Sequence, residues 1–372
     1  MGSGEFLDSM ARVHRGLLAD LGGPANAVFL DTPAGFELNA DELAERAVQY
    51  FAQRLDVALG VVSYRSKQAA TALEQSAALR LLLDANYLVA GPGSPTYAVR
   101  TWRESLVWEA VTDSLRGGAT LVLASAAAMA AGRYSIPVYE IYRAGEDPEW
   151  IEGLNLLGPF GLELAVVAHW NNSHGGSHDT RFCFMGERRL DSLRSQLAPS
   201  TTILGLDEHT ACVLDLATRR CRVEGVGAVT VIRGEAWSEH ASGSEFGFEE
   251  LLGLESGRVE PQLEAGSEPT TEPRTLATAR YLSELANALT DDPDPAVQRE
   301  VIDLVHDATH ELAEGWREPD SLTGQEIRPL LELLVRARQE LRAAKAFGLA
   351  DEIRDQLNHL GVVEADTPVS RL

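Results

Sequence analysis

The sequence predicts an α/β fold: a mostly parallel sheet covered by helices, followed by a small all-α C-terminal domain. Three observations predict it. Over about the first 235 residues, short apolar runs alternate with helical patterns, as expected for strands buried on both faces of a parallel sheet. From 236 to 273 the chain turns rich in Gly, Ser, Glu and Pro, which reads as linker. From 274 to 372 every patterned stretch has helical spacing. The expected organisation is therefore an α/β domain over 1–235, a linker over 236–273 and a helical domain over 274–372.

The elements follow in order. Met1-Gly2-Ser3-Gly4-Glu5-Phe6 reads either as a cloning remnant or as the end of a first strand and its turn, and we take it as native. Strands are expected at Ala27 to Pro33, Val57 to Ser63, Asn86 to Ala90 and Ala119 to Ala124, with a helical stretch from Ala40 to Arg54. Further strands are expected at Leu164 to Ala168 and Thr202 to Leu206. Ala211 to Asp215 and Val229 to Arg233 would form an antiparallel hairpin at one edge. Helices are expected at 275–289, at 295–316 (opened by Asp294-Pro295), and as a hairpin over 325–345 and 347–360 closed by Gly361.

Composition limits the function classes. With 372 residues and 45% hydrophobic content the chain can bury a substantial core, and no apolar run reaches the roughly 18 residues of a membrane span. Glu5, Asp8 and Asp20 stand where a secretory leader would be basic and then apolar, so no secretory signal is expected. A net charge of −24 disfavours adhesion to nucleic acid or to an anionic membrane. Arg carries most of the positive charge, Lys occurring only at Lys67 and Lys345. The three cysteines, Cys183, Cys212 and Cys221, form no Cys-x-x-Cys pair. A reduced, cytoplasmic location is expected, with no disulfide framework and no zinc knuckle.

Four segments could carry chemistry. Leu121-Val122-Leu123-Ala124-Ser125-Ala126-Ala127-Ala128 stops an apolar run at a Ser and continues into an Ala-rich helical stretch. That is how a sharp strand–nucleophile–helix turn reads, since only small neighbours fit around the exposed hydroxyl; a plain βα junction is the other reading. Ala90-Gly91-Pro92-Gly93-Ser94-Pro95 follows a buried strand, and its backbone N–H groups could face an anion or simply make a tight turn. His169 closes an apolar strand at the carboxyl edge where Ser125 is also expected. The segment after it holds His174, His178 and Asp179. Their spacing puts no ligand set on one helical face, so a polar loop at a site entrance is favoured over a metal site. Finally, Gly205-Leu206-Asp207-Glu208-His209-Thr210-Ala211 places two acids at a strand end, where a carboxylate can orient an imidazole or merely solvate a turn.

Taken together, these residues resemble the dipeptidase E and cyanophycinase family of serine peptidases, within the flavodoxin-like, class I glutamine amidotransferase-like fold. The resemblance covers roughly residues 1–235. Gly91-Pro92-Gly93 resembles the family's Gly-Gly loop, and Leu123-Ala124-Ser125-Ala126-Ala127-Ala128 loosely resembles its Gly-Thr-Ser-Ala-Gly-Ala motif. His169 corresponds to its strand-end His, and Gly205 to Ala211 follow its Gly-Ile-Asp-Glu-x-Thr-Ala segment closely. The resemblance implies Ser125 as nucleophile, His169 as base and Glu208 as third member. Two departures stand out: Leu123 and Ala127 replace the family's glycines around the nucleophile. Residues 170–181 look inserted, which implies a changed substrate.

The last forty or so residues resemble the helical tail of cysteinyl-tRNA synthetases, through Lys345-Ala346-Phe347, Leu349 to Leu357, Leu360-Gly361 and Glu364 to Pro368. The synthetase motifs His-x-Gly-His and Lys-Met-Ser-Lys-Ser are absent, so amino-acid activation is not expected. The apolar residues of this tail, Leu331, Leu334, Leu341, Ile353, Leu357 and Leu360, recur at helical spacing, which favours a packing hairpin over tRNA contact.

The expected function is therefore a serine hydrolase acting on amide or peptide bonds of a small substrate. Gly91, Gly93, Ser94 and Ala126 are expected around the oxyanion, with His178 and Arg181 toward the substrate. No metal or other cofactor is expected, and a homodimer is open. The alternative, motivated by Leu123 and Ala127, is a catalytically degenerate binding protein whose helical tail contacts tRNA or a partner protein.

Overall fold

The computed structural model describes residues 1–254 and scattered helical positions at 281, 282, 285 and between 335 and 354. Most of the four C-terminal helices expected from sequence, and Gly361, lie outside the described residues. Tyr281, Leu282, Leu285, Leu341, Ala350 and Ile353, which fall within them, are helical and buried. The chain divides into two units, Met1–Lys67 with Ala85–Glu268, and Gln68–Asp84 with Pro269–Leu372. The helix α3 (Ala72–Asp84) thus groups with the C-terminal residues, although the sequence reading leaves it within 1–235.

The first unit begins with α1 (Asp8–Asp20), β1 (Ala27–Leu30), α2 (Ala40–Tyr50) and β2 (Leu59–Val62). After α3 come β3 (Tyr87–Ala90), α4 (Pro95–Trp102), α5 (Leu106–Arg116) and β4 (Thr120–Leu123). These strands form a parallel sheet in the order β2-β1-β3-β4. Burial of all four residues in β1 and in β3 explains their unbroken apolar runs. Behind them Met10, Val13, Phe29, Phe51, Tyr87 and Val89 form one core. His14 is wholly buried there, its Nδ1 at 2.7 Å from the Tyr87 hydroxyl and its Nε2 at 2.8 Å from the Glu5 carbonyl.

The rest of the unit contains α6 (Ala126–Ala130), β5 (Tyr134–Ser135), α7 (Val138–Tyr142), β6 (Ile151–Glu152), β7 (Leu164–Val167), α8 (Gly186–Arg194) and β8 (Thr202–Leu206). It continues through β9 (Thr210–Asp215), β10 (Arg220–Gly225), β11 (Ala228–Arg233), β12 (Ala236–Ala241), β13 (Glu245–Gly247) and α9 (Phe248–Leu252). A mixed six-stranded sheet runs β12-β11-β8-β7-β5-β6, and β13-β10-β9 form an antiparallel three-stranded sheet.

Three expectations are corrected here. The single mostly parallel sheet is instead one parallel sheet beside two that are mixed or antiparallel. The hairpin partners also differ: β9 pairs with β10, and β11 pairs with β8 and β12. Arg220–Gly225 alternates charged and apolar residues, and Cys221 and Val223 are fully buried on its apolar side. Lastly, the expected linker opens with β12, β13 and α9. The polar side chains of β12 hid it, because among the described residues only one of its edges is paired, with β11.

The N-terminal residues join these parts. The Met1 amine donates to the Leu123 carbonyl (2.7 Å), the Ser125 N–H donates to the Met1 carbonyl (3.1 Å), and the Gly2 N–H donates to the Thr210 carbonyl (2.8 Å). Met1-Gly2 therefore behaves as a strand end between β4 and β9, with Gly4 in the turn that follows at φ 77°.

Candidate active site

Ser125 lies two residues past β4, with φ 49° and ψ −117°, a conformation that L-residues rarely adopt. The turn is enclosed by Ala124, Ala126 and Ala127, all essentially buried. The Ala127 N–H donates to the Ala124 carbonyl at 3.1 Å and to the Gly91 carbonyl at 3.4 Å. Leu123, which replaces a glycine of the resembled motif, is partly buried against a core that includes Leu204 and Leu206 of β8 and Cys221 and Val223 of β10.

His169 lies two residues past β7, also at positive φ (50°). Its Nε2 is 2.9 Å from the Ser125 Oγ, and its Nδ1 is 2.9 Å from the Glu208 Oε1. With Nδ1–H directed at the carboxylate, Nε2 is left to accept the serine proton. Glu208 follows β8. Burial alone would raise its pKa, but hydrogen bonds from His169 and Asn172, with the His169 charge, hold it below its ordinary value. The Asn172 Nδ2 donates to the Glu208 Oε1 at 2.9 Å, and the Glu208 N–H donates to the Asn171 Oδ1 at 2.9 Å. The neighbouring acid is engaged elsewhere, since the Asp207 Oδ2 accepts the Ala228 N–H and ties the turn to β11.

Glycines allow this turn its close packing. A Cβ on Gly205 would lie 2.5 Å from the Trp170 ring, and one on Gly2 only 2.1 Å from the Asp207 carbonyl oxygen. Gly4 lies against the His209 ring in the same way.

Beside Ser125 opens a cleft of about 140 Å³. Met129, Val138, Tyr139, Tyr142 and Phe184 give it an apolar, largely aromatic wall, and Arg143 adds a cation beside the Tyr142 ring. Gly93 and Ala126 line it, and among the described residues no acceptor meets their N–H groups. Gly93 has φ 143° and lies against the Pro33 carbonyl, where a Cβ would overlap.

The other expected site residues are placed differently. The Ser94 N–H is occupied by the Pro33 carbonyl (2.9 Å), its hydroxyl caps α4 by accepting from the Tyr97 N–H (3.2 Å), and Ser94 does not line the cleft. Gly91 shapes the turn through its carbonyl. His178 is exposed in the 170–181 segment. Arg181 forms a two-pronged pair with Asp179 (2.9 and 2.8 Å), reaches Glu187 and stacks over Phe182. Neither lines the cleft, because Arg181 is held within its own loop. Among the described residues no cluster of His, Cys, Asp and Glu is arranged to hold a metal ion.

The sequence reading missed Asn171 and Asn172, which hold Glu208. An Asn pair directly after a strand-end His was the available signal. It also missed Phe182, Cys183 and Phe184, three successive residues at φ 60°, 55° and 67°. This left-handed turn hangs from the His169 segment: the Cys183 N–H donates to the His169 carbonyl (3.2 Å) and the Phe182 N–H to the Trp170 carbonyl (2.9 Å). All three cysteines are free, and Cys183, which lines the cleft, has its thiol pushed up to about 12 by burial.

Comparison with known proteins adds the following. No family model matches the chain. Short stretches resemble cysteine–tRNA ligases: 41% identity over 49 residues with that of Carboxydothermus hydrogenoformans (13% of this chain, 10% of that protein) and 50% over 44 residues with that of Symbiobacterium thermophilum (12% and 9%). The chain thus spans about a tenth of the curated relatives it matches. A candidate peptidase E protein from Listeria monocytogenes EGD-e aligns over 64% of this chain and 95% of its own at 12% identity and a TM-score of 0.37. A peptidase from an acI-B1 Actinobacterium aligns over 67% of this chain and 95% of its own at 21% identity and a TM-score of 0.54. The α/β part of this chain shares its fold with that actinobacterial peptidase.

Proposed function

We propose that the protein is a serine hydrolase acting on amide or peptide bonds. The observation that carries this reading is the unbroken chain Ser125 Oγ–His169 Nε2, His169 Nδ1–Glu208 Oε1, each link 2.9 Å long, at the mouth of a cleft. The Ser125 Oγ attacks the substrate carbonyl while His169 takes its proton. His169 then returns the proton to the leaving amine, and an activated water releases the acyl group in a second, equivalent step. Glu208 keeps the imidazole in the required tautomer and stabilises its charged form. The N–H groups of Gly93 and Ala126 receive the negative oxygen of the tetrahedral intermediate. The fold shared with a peptidase supports the reading. A fluorophosphonate probe tests it: the native protein is expected to label, and Ser125→Ala is not. Equal labelling of both removes the nucleophile.

A second reading has its own observation, the short likeness to cysteine–tRNA ligases. In it the C-terminal part of the chain contacts tRNA. It requires tRNA binding at low salt that disappears when the residues after Pro273 are removed.

A further inference from the structure

The lining of the cleft beside Ser125 is selective in its chemistry. Tyr139, Tyr142 and Phe184 supply aromatic surface, and none of the described residues that line it is acidic, in a chain of net charge −24. Among those lining residues the permanent cation is Arg143, at the C-terminal end of α7. Its guanidinium lies 5.6 Å from the Tyr142 ring centroid, and among the described residues no carboxylate or carbonyl engages it. The Tyr142 ring in turn meets Phe184, with centroids 5.0 Å apart. Cation, ring and ring therefore form one continuous wall. Both rings are half-buried on a core that includes Met129, Val138 and Cys183. The left-handed turn at 182–184 puts Phe184 there. Its φ is 67°, its N–H donates to the Thr180 carbonyl (3.0 Å), and Phe182 and Cys183 before it are buried. Strain of this kind persists where the surroundings over-determine a residue, and here it fixes an aromatic ring in the cleft.

An apolar wall disfavours charged side chains, and a guanidinium without a protein partner beside it favours one anionic group. The C-terminal residue of a peptide carries both features on a single carbon. Its apolar side chain and its free carboxylate share the Cα, so they can meet neighbouring wall residues. We propose that the cleft seats such a residue, with its side chain against Tyr142 and Phe184 and its carboxylate on Arg143, so that apolar amino acids are released from the carboxyl ends of peptides. This rests on the hydrolase reading for the chemistry, whereas binding alone tests the pocket. In that chemistry the Ser125 Oγ bonds to the scissile carbonyl carbon and the C–N bond breaks. The free amino acid leaves with the proton that His169 returns, and water then releases the shortened peptide as its carboxylic acid.

The experiment uses the full chain carrying Ser125→Ala, so that calorimetry reads binding without turnover. The probes are acetyl-Ala-Ala-Phe as the free acid and as the carboxamide, with acetyl-Ala-Ala-Ala and acetyl-Ala-Ala-Asp as free acids. The Phe acid is expected to bind at least about fivefold more tightly than its carboxamide, and Arg143→Gln to remove that difference. It should bind at least about tenfold more tightly than the Ala acid, and Phe184→Ala should cut that advantage at least about threefold. Equal binding of acid and carboxamide, a difference that survives Arg143→Gln, or an Asp acid that binds as tightly as the Phe acid overturns the proposal. So does the absence of binding by all four. In the Ser125 protein, phenylalanine should be released from the acid faster than phenylalaninamide from the carboxamide, and equal or reversed rates overturn the proposal. Discrimination without fluorophosphonate labelling overturns the hydrolase reading and leaves the pocket standing, whereas labelling without discrimination does the reverse. Arg143 is exposed, so its variant keeps the test available if Phe184→Ala folds poorly.

Discussion

The two walls of the cleft reach the same precision by opposite means. The Ser125 wall ends a parallel sheet: one residue carries the strain, and its neighbours are alanines that fill no space it needs. The His169–Glu208 wall belongs to a mixed sheet and is held by side chains. Asn171 and Asn172 grip Glu208, and a turn of three non-glycine residues in left-handed conformation hangs from the His169 and Trp170 carbonyls. Small residues give the first wall its geometry directly. Hydrogen bonds force the second into place at a conformational cost of about 1–2 kcal/mol per left-handed residue.

The comparison can be broken most decisively at its two polar ends. Ser125→Ala should lower hydrolysis or probe labelling by at least about 10⁴-fold, and Glu208→Gln by about 10³-fold, through loss of the imidazole tautomer. Asn172→Ala should cost about tenfold in kcat with KM little changed, because its contact with the Ser125–His169–Glu208 chain is the hydrogen bond to Glu208. If it costs nothing, the second wall does not depend on that grip.

Stability sharpens the contrast further. On the serine side the core rests on His14, whose pKa is pushed down to about 4, mainly by burial. Its folded-state pKa lies below the unfolded value near 6.5, so the folded state keeps it neutral. The stability this allows is complete above about pH 6.5 and is lost as pH falls toward 4, by about 3 kcal/mol. Denaturant midpoints at pH 7 and pH 4.5 should therefore move further apart in the native protein than in His14→Asn. On the histidine side, Cys183→Val should cost about 2 kcal/mol, since a β-branched residue fits φ 55° poorly. Cys183→Gly should stay within about 1 kcal/mol, relief of strain offsetting the lost buried thiol. A similarly small effect is expected at the Ser125 turn, where Ser125→Gly should raise stability by about 1 kcal/mol by releasing the strained backbone. Thermal melts at constant pH check all three.

The same contrast explains what could be read from the sequence. The convergence of Ser125, His169 and Glu208 was legible because each ends a short apolar run, and strand ends converge. The alanines around Ser125 announced the tight turn. Nothing announced the left-handed run at 182–184, which contains no glycine or asparagine and arises from hydrogen bonds to a distant strand end. Arg181 looked available for substrate because its partners Asp179 and Glu187 become partners only once the loop has folded. Ser94 looked like an oxyanion donor because its position follows two glycines, while its packing against Pro33 is a tertiary fact. The division into three sheets was invisible for the same reason: β10 and β12 carry charged or polar faces, and they pair with β9 and β13 and with β11 respectively.

Gly2 gives this arrangement a long reach along the chain. Its Cα rests on the backbone of the turn that presents Glu208, with no space for even a methyl group between them. A bulkier residue at the second position would push that carboxylate away from its imidazole partner. A substitution two hundred residues upstream would then present as a proton-transfer defect, leaving every reacting group chemically intact.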